Sequence, residues 1–290
     1  MFLLVASKED IASMNIKRAL LAAHVWEEKR TFEDNPVFTC REGSEATLIT
    51  INRSHLQADD LDKKAVRTLN IPPPSTVIFL SRHRSESGLR TLTVHPIGCY
   101  SKADFGGREG TLVPSAPVPM TLAMRLVHQR ARAHGLDFKV SYETTHHGPS
   151  LETPTFFIEI GSEEKAWAEV PPAEVLASVV LDVVRASPAD DEPVAIGIGG
   201  GHYAPRFTDV ALAKRLSFGH MVPSYALEKA TEDVLAQAMK RTPNVKFVYF
   251  HRKALKAEEY NRYKAFFEGL GLTAVREKDL EDRNDSIPLA

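Results

Sequence analysis

The chain has 290 residues, 43% hydrophobic and 26% charged, with a formal net charge of -2. That length admits one large α/β domain or two intimately packed ones, and the composition excludes a disordered or fibrous chain. The near-neutral charge excludes a general polyanion binder, so any contact with nucleic acid must come from a local basic surface.

Residues 2–6, Phe-Leu-Leu-Val-Ala, lack a basic leader and read as a first strand rather than a signal peptide. Ser7, with Asp10 three residues on, reads as the cap of a helix that turns Ile11, Met14, Leu20 and Leu21 inward. β-Branched runs predict strands at 47–51, 76–80 and 91–94, the first two separated by a polar stretch ending in Pro72-Pro73-Pro74. Too few residues lie between Leu80 and Thr91 for a helical crossover, so those two strands run antiparallel and the sheet is mixed. A proline-started helix occupies 115–134, with Leu122, Leu126 and Val127 apolar and Arg125, Arg130 and Arg132 making it basic. Strands at 138–142 and 156–160 flank a Gly-Pro turn, a helix spans 173–185, and 187–192 is an acidic surface loop. Strand 194–198, a helix near 226–239, strand 246–250, a helix near 256–269 and a polar tail over 276–290 complete the chain. The alternation predicts a three-layer α/β/α sandwich around a mixed sheet, as a single α/β domain over 1–275. Two cysteines, Cys40 and Cys99, are too few for a disulfide framework and lack zinc-ribbon spacing, which suits a reducing, cytoplasmic setting. No run approaches the roughly 18 apolar residues of a membrane span.

Eleven histidines exceed what packing requires. Four sit just past predicted strand ends: His83, the adjacent pair His146 and His147, and His202 in Gly197-Ile198-Gly199-Gly200-Gly201-His202-Tyr203-Ala204-Pro205-Arg206-Phe207. Open α/β sheets bind ligands beyond the carboxyl ends of their strands, so parallel strands here would gather these histidines in one crevice. His95 also follows a strand, but a simple hairpin would set it at the opposite sheet edge, roughly 17 Å from His83 at ~3.3 Å per residue, and it ranks lower. Adjacent side chains of an extended segment point opposite ways, so one of His146 and His147 faces a given ligand. The glycine run resembles a dinucleotide fingerprint only superficially, because Ala204-Pro205 interrupts where a helix should start. Glycine N–H groups holding a phosphate, sugar or aminoacyl backbone fit better, with Arg206 as anion partner; a bulge and turn are the plainer alternative. Arg82 and Arg84 bracket His83 and, like the helix arginines, are either RNA phosphate contacts or a solvated face. No Gly-x-Ser-x-Gly elbow or activated cysteine is present. The histidines, with Glu152 and Glu159 nearby in sequence, point instead to water activation by a histidine base or by zinc, although no usual zinc spacing occurs.

Several stretches carry a resemblance in chain order: Ser81-Arg82-His83-Arg84-Ser85, Leu92-Thr93-Val94-His95-Pro96, Thr145-His146-His147-Gly148-Pro149, Thr155-Phe156-Phe157-Ile158-Glu159-Ile160-Gly161-Ser162, Gly199 through Thr208, and Phe218-Gly219-His220-Met221. Together they resemble the archaeal and plant type of D-aminoacyl-tRNA deacylase, from about residue 2 to residue 270. The resemblance implies a phosphorylase/hydrolase-like α/β/α domain whose C-terminal half is similar to peptidyl-tRNA hydrolase. It implies zinc, and hydrolysis of the ester joining a D-amino acid to the terminal ribose of tRNA, which keeps D-residues out of translation. Aminoacyl-tRNA is the expected partner, with no DNA or membrane, and the expected state is a monomer. Cys99 stands where the resemblance leads one to expect asparagine after His95-Pro96-Ile97-Gly98. On this reading His83, His147, His202 and Glu159 activate the attacking water, and His83, His146 and His202 form the metal-ligand set. Thr145, Gly200 and Gly201 would donate to the oxyanion, while Arg82, Arg84, His95, Tyr203 and Arg206 complete the substrate site. The alternatives are hydrolysis of peptidyl-tRNA or another N-modified aminoacyl-tRNA and, from a different class, non-catalytic binding of the tRNA end.

Overall fold

The structure, a computed structural model, describes residues 1–40, 45–186 and 192–283. Its first part runs β1 (Phe2–Ser7), α1 (Ile11–Ala23), β2 (Glu27–Phe32), β3 (Asn35–Cys40), β4 (Ala46–Ile51), α2 (Leu61–Leu69), β5 (Thr76–Arg84), β6 (Thr91–His95), α3 (Pro117–Ala133), β7 (Lys139–Tyr142) and β8 (Thr155–Ser162). After α4 (Glu164–Trp167) and α5 (Val170–Arg185) come β9 (Val194–Ile198), α6 (Pro205–Ala213), β10 (Ser217–Val222), α7 (Ser224–Leu227), α8 (Glu232–Lys240), β11 (Val245–Phe250), α9 (Ala257–Gly269) and β12 (Thr273–Val275). The first eight strands form one mixed sheet in the order β2-β3-β4-β1-β5-β8-β6-β7; the last four form a second, parallel sheet in the order β10-β9-β11-β12.

The two-residue period of a strand sorts its side chains between two cores. Leu4 and Ala6 of β1 pack with Ile16 of α1, Met120 of α3 and Leu176 of α5, whereas Leu3 and Val5 pack with Leu61 and Ala65 of α2. Helices therefore cover both faces of the large sheet, as the alternation of elements predicts. The small sheet shares the first core through Phe218, Met221 and Tyr249, together with Phe207 and Val210 of α6. Its other face, with Ile196, Ile198 and Val222, packs on α8 and α9 through Leu235 and Phe267.

Several local expectations change. Asp10, not Ser7, caps α1, accepting from Ser13 N–H at 2.9 Å, so the inward face is Ala12, Ser13, Ile16 and Leu20 while Ile11 is exposed. The helix expected near 226–239 is two helices, because Thr231 caps a fresh start at α8. Ala204-Pro205 does not block a helix: Pro205 is the first residue of α6, where its missing N–H costs nothing. Arg125 of α3 faces no solvent; buried, it makes paired hydrogen bonds to Glu192 at 2.8 and 3.0 Å and donates to the Ala211 carbonyl. Arg130 is engaged with Ser178 and Asp182 of α5. The acidic loop, apart from Glu192, and the tail beyond residue 283 lie outside the described residues.

Candidate active site

On the α2 side of the large sheet, three neighbouring strands change from apolar to polar along their length. Val77 and Phe79 give way to Ser81 and His83 on β5, Phe157 to Glu159 on β8, and β6 ends in Thr93 and His95. The strands β5 and β6 do run in opposite directions, but they are not a hairpin, because β8 lies between them. Ser81 and Thr93 both pair with Glu159, while His83 pairs with Gly161 and His95 with Phe157. His83 and His95 thus flank Glu159 along β8, and both rings reach its carboxylate, His83 Nδ1 at 3.6 Å and His95 Nε2 at 3.5 Å. This corrects the placement of His95 at a far sheet edge: a neighbouring strand inserted from later in the chain brings it to the centre of the site.

The loop after β7 completes the cluster. Glu143 N–H donates to Val94 O at 3.1 Å, fixing the loop to β6, and Thr144 N–H donates to His202 O at 2.9 Å, fixing the loop after β9 beside it. Glu143, fully buried, lies at the middle: its carboxylate is 3.2 Å from His83 Nδ1, 3.5 Å from His146 Nε2 and 3.1 Å from His202 Nε2. The rings of His146 and His147, and of His95 and His146, have centroids 4.3 Å apart, so both members of the adjacent pair belong to the site. His147 achieves this with φ of 45°, outside the extended conformation that would have pointed the two rings apart. Glu143 was missed in the sequence; an acid three residues ahead of a histidine pair at a strand end was the available signal.

Burial and charge sort the groups. Burial opposes ionisation of Glu143, but His202, then His95 and His83, outweigh it and hold the carboxyl at about 2. Glu159 is likewise held below the usual range against burial by His95 and His83. Burial also disfavours a charged His83, yet Glu159 and Glu143 push it up to about 9, and Glu159 raises His95 in the same way. His146 and His147 go the other way, lowered by burial and by His95, His147 to about 4. Two carboxylates are thus balanced by two cationic rings beside a neutral histidine pair.

The donor set suits a metal. Nδ1 of His146, His147 and His95 lies 2.7, 2.6 and 3.1 Å from the carbonyls of Thr144, Gly148 and Pro96, which orients each ring and leaves Nε2 to face the cluster. His95 Nε2 and both Glu143 oxygens are buried without an aligned hydrogen bond. The carboxylates that hold protons on His83 and His95 would hold a dication in their place. Ligand atoms of His95, His146 and His147 lie within 4.8 Å of one another, as do those of His83, Glu143 and His202. The expected set of His83, His146 and His202 is therefore divided between two groups.

Other expected residues fall in several places. A cavity of 450 Å³ opens beside the cluster, bordered by Arg82, Arg84, Phe105 and Asp10. Arg82 lies over Trp167 and donates to Glu9 O, while Arg84 is exposed. The Tyr203 hydroxyl meets His83 Nε2 at 3.1 Å. Thr145 N–H is engaged with Met221 O at 2.9 Å, and Gly200 N–H with Ser224 Oγ at 3.1 Å, so neither points at the cluster as an oxyanion donor. Gly201 is exposed. Arg206 turns away to Tyr249 and Glu277 and lines a different cavity. Glu152 pairs with Arg241 and stays outside the site.

A three-layer α/β fold carrying buried carboxylates and histidines beside solvent-accessible cavities defines a hydrolytic centre without a serine or cysteine nucleophile. Known proteins narrow the class. The D-aminoacyl-tRNA deacylase family matches residues 71–275. Two D-aminoacyl-tRNA deacylases are each 36% identical: that of Methanosarcina acetivorans over 97% of this chain and 93% of its own length, and that of Thermococcus kodakarensis over 96% and 100%. A crystal structure of a conserved protein of unknown function superposes with a TM-score of 0.87 at 31% identity, covering 98% of both chains. The chain belongs to the D-aminoacyl-tRNA deacylase family.

Proposed function

We propose that this protein hydrolyses the ester between a D-amino acid and the terminal ribose of tRNA, with zinc as cofactor, acting as a monomer in the cytoplasm. The observation that carries the reading is the convergence of Glu143, Glu159 and five histidine rings, with buried donor atoms lacking aligned hydrogen bonds, beside a cavity large enough for an aminoacyl-adenosine end. Among the described residues no helix is long and apolar enough to cross a membrane. Zinc, held by His95, His146 and His147 or by His83, Glu143 and His202, would supply Lewis acidity toward water and the ester carbonyl.

The protein's own groups divide the remaining work. His202 stands at the mouth with 36% of its side chain exposed and Nε2 facing Glu143. Nδ1 is then the atom free to take a proton from the attacking water. The water oxygen bonds to the ester carbonyl carbon, the bond from that carbon to the ribose oxygen breaks, and the proton held on His202 passes to the ribose oxygen. With Nδ1 of His83 turned to Glu143 and Glu159, Nε2–H donates to the Tyr203 hydroxyl, whose own O–H is then available for the carbonyl oxygen as negative charge builds there. Glu159 lies between His83 and His95 and keeps charged whichever of the two does not hold zinc. Arg82 and Arg84 at the cavity edge hold the phosphates of the tRNA 3′ end, and cavity shape distinguishes D from L, since both hands offer the same leaving group.

The test is release of amino acid from D-tyrosyl-tRNA and L-tyrosyl-tRNA by the purified protein, with and without prior chelation. Rapid loss of the D-ester alone, abolished by chelation and restored by zinc, is the expected result. Equal loss of both esters removes the chiral reading, and activity indifferent to chelation removes zinc.

A further inference from the structure

A cavity of 1130 Å³ lies away from the histidine cluster, at the start of α6, the carboxyl end of β11 and the segment that follows β12. In a protein with a net charge of -2 its walls are basic: Arg206, Lys214, Arg252, Lys253, Arg276 and Lys278 face Asp209 and Glu277 alone among acids. Arg206 and Lys214 are paired with Glu277 and Asp282. Lys253, Arg276 and Lys278 are exposed and form no ion pair among the described residues. Aromatic faces are set between the charges: Arg252 lies 4.8 Å from the centre of the Tyr260 ring and Arg206 5.7 Å from that of Tyr249. Unpaired cations interleaved with aromatic rings suit a nucleic-acid backbone.

The glycine turn lies between the groove and the active site. His251, on the groove wall, donates its N–H to Ile198 O at 2.8 Å, and its ring packs on Gly200, where a Cβ would lie 3.1 Å from Nδ1. Gly200 holds φ of 96°, so the backbone turns there from the groove and reaches His202 two residues later. Gly201, on the way, is exposed with open space above it. A chain leaving the groove has this glycine surface to cross before it meets His202.

We propose that this groove is the docking surface for the phosphate backbone of the tRNA acceptor stem, delivering the 3′ end across Gly200 and Gly201 to His202; this rests on the deacylase reading. It gives Arg206 a place in the stem-binding wall, not on the glycine loop itself. Three phosphate contacts, from Lys253, Arg276 and Lys278, are assigned.

The experiment compares wild type with the triple variant Lys253→Gln/Arg276→Gln/Lys278→Gln, and with Lys253→Arg/Lys278→Arg as the charge-keeping control. Binding of uncharged tRNA is measured across a salt series, and turnover is measured on D-tyrosyl-tRNA and on the D-tyrosyl ester of adenosine, which has no stem. For the triple variant the tRNA Kd is expected to rise about tenfold or more and the slope of log K against log salt to shallow by about 2 to 3, near 0.9 per phosphate contact. KM for D-tyrosyl-tRNA rises in step, kcat and turnover of the adenosine ester stay at wild-type values, and the arginine control binds as wild type. Wild-type tRNA affinity and salt slope in the triple variant overturn the groove assignment, including the case in which the surface serves an acidic protein. If wild type cleaves neither ester, the deacylase reading fails by itself, and the binding series still decides the groove.

Discussion

Glu143 shows how one buried carboxylate can organise a site. With no exposed surface and three histidine nitrogens within 3.5 Å, it is the shared neighbour of His83, His146 and His202. Groups that act through one partner lose function together, not independently. His202→Ala is expected to lower kcat on D-tyrosyl-tRNA by on the order of 10²- to 10⁴-fold while leaving tRNA affinity unchanged. Glu143→Gln removes one of the two carboxylates beside His83 and the charge that orients His202, and should cost a similar factor. The double variant should be scarcely worse than the poorer single one; single-turnover rates that multiply would show that the two residues act separately. At this scale the sequence revealed the histidines, because glycine-flanked rings past strand ends are conspicuous. It concealed Glu143, since in Tyr142-Glu143-Thr144-Thr145 nothing local separates a buried acid from a solvated one.

The elements decide how closely those residues can approach. The turn carrying His146 and His147 is pressed onto the segment between β6 and α3: Gly98 N–H donates to His147 O, and Gly148 N–H donates to Phe105 O. A Cβ at Gly148 would fall 2.2 Å from Gly107 N and 2.4 Å from Gly106 C, all rigid backbone. Gly148→Ala should therefore destabilise the protein by about 2 to 3 kcal/mol, the cost of overpacking, and displace the histidine pair. Gly201→Ala, with nothing within 4 Å of the added methyl, should leave the melting temperature within about a degree. Thermal unfolding of the two variants checks this, and equal melting temperatures would refute the close-packing account. Pro205 and β8 show why elements were only partly legible. Proline both ends and starts helices, and its role depends on which side the chain continues. The insertion of β8 between β5 and β6 is a pairing over some seventy residues that no local period encodes.

Over the whole molecule, His220 ties the small sheet to the site. Buried on β10, it has Nε2 2.9 Å from Val113 O and Nδ1 3.0 Å from Thr145 Oγ1, beside His146. Nε2 must donate to the carbonyl, so Nδ1 accepts from the Thr145 hydroxyl, and the ring is neutral. Burial lowers its pKa to about 3. Below the unfolded value of 6.5 the unfolded chain takes up a proton that the native ring refuses. This group therefore contributes its full stability above about pH 6.5, and that contribution falls with pH until about 3, at about 1.4 kcal/mol per pH unit. His220→Gln should lower stability at pH 7 and flatten the dependence of unfolding free energy on pH between 4 and 6 by about one proton. Denaturant unfolding at several pH values measures it, and an unchanged slope would mean that His220 is charged or solvated in the native protein.

The sequence by itself determined the layered α/β class, most of the strands, the four histidines His83, His146, His147 and His202, and the family resemblance. These depend on periods, end signals and ordered motifs that the chain carries locally. Tertiary structure alone decided that there are two sheets, that His95 joins the cluster, that Glu143 is its centre, that Arg125 is buried in an ion pair and that Arg206 faces another cavity. Each of these depends on which distant segment lies alongside, and a side chain's environment is set by that neighbour far more than by the residues on either side of it in sequence.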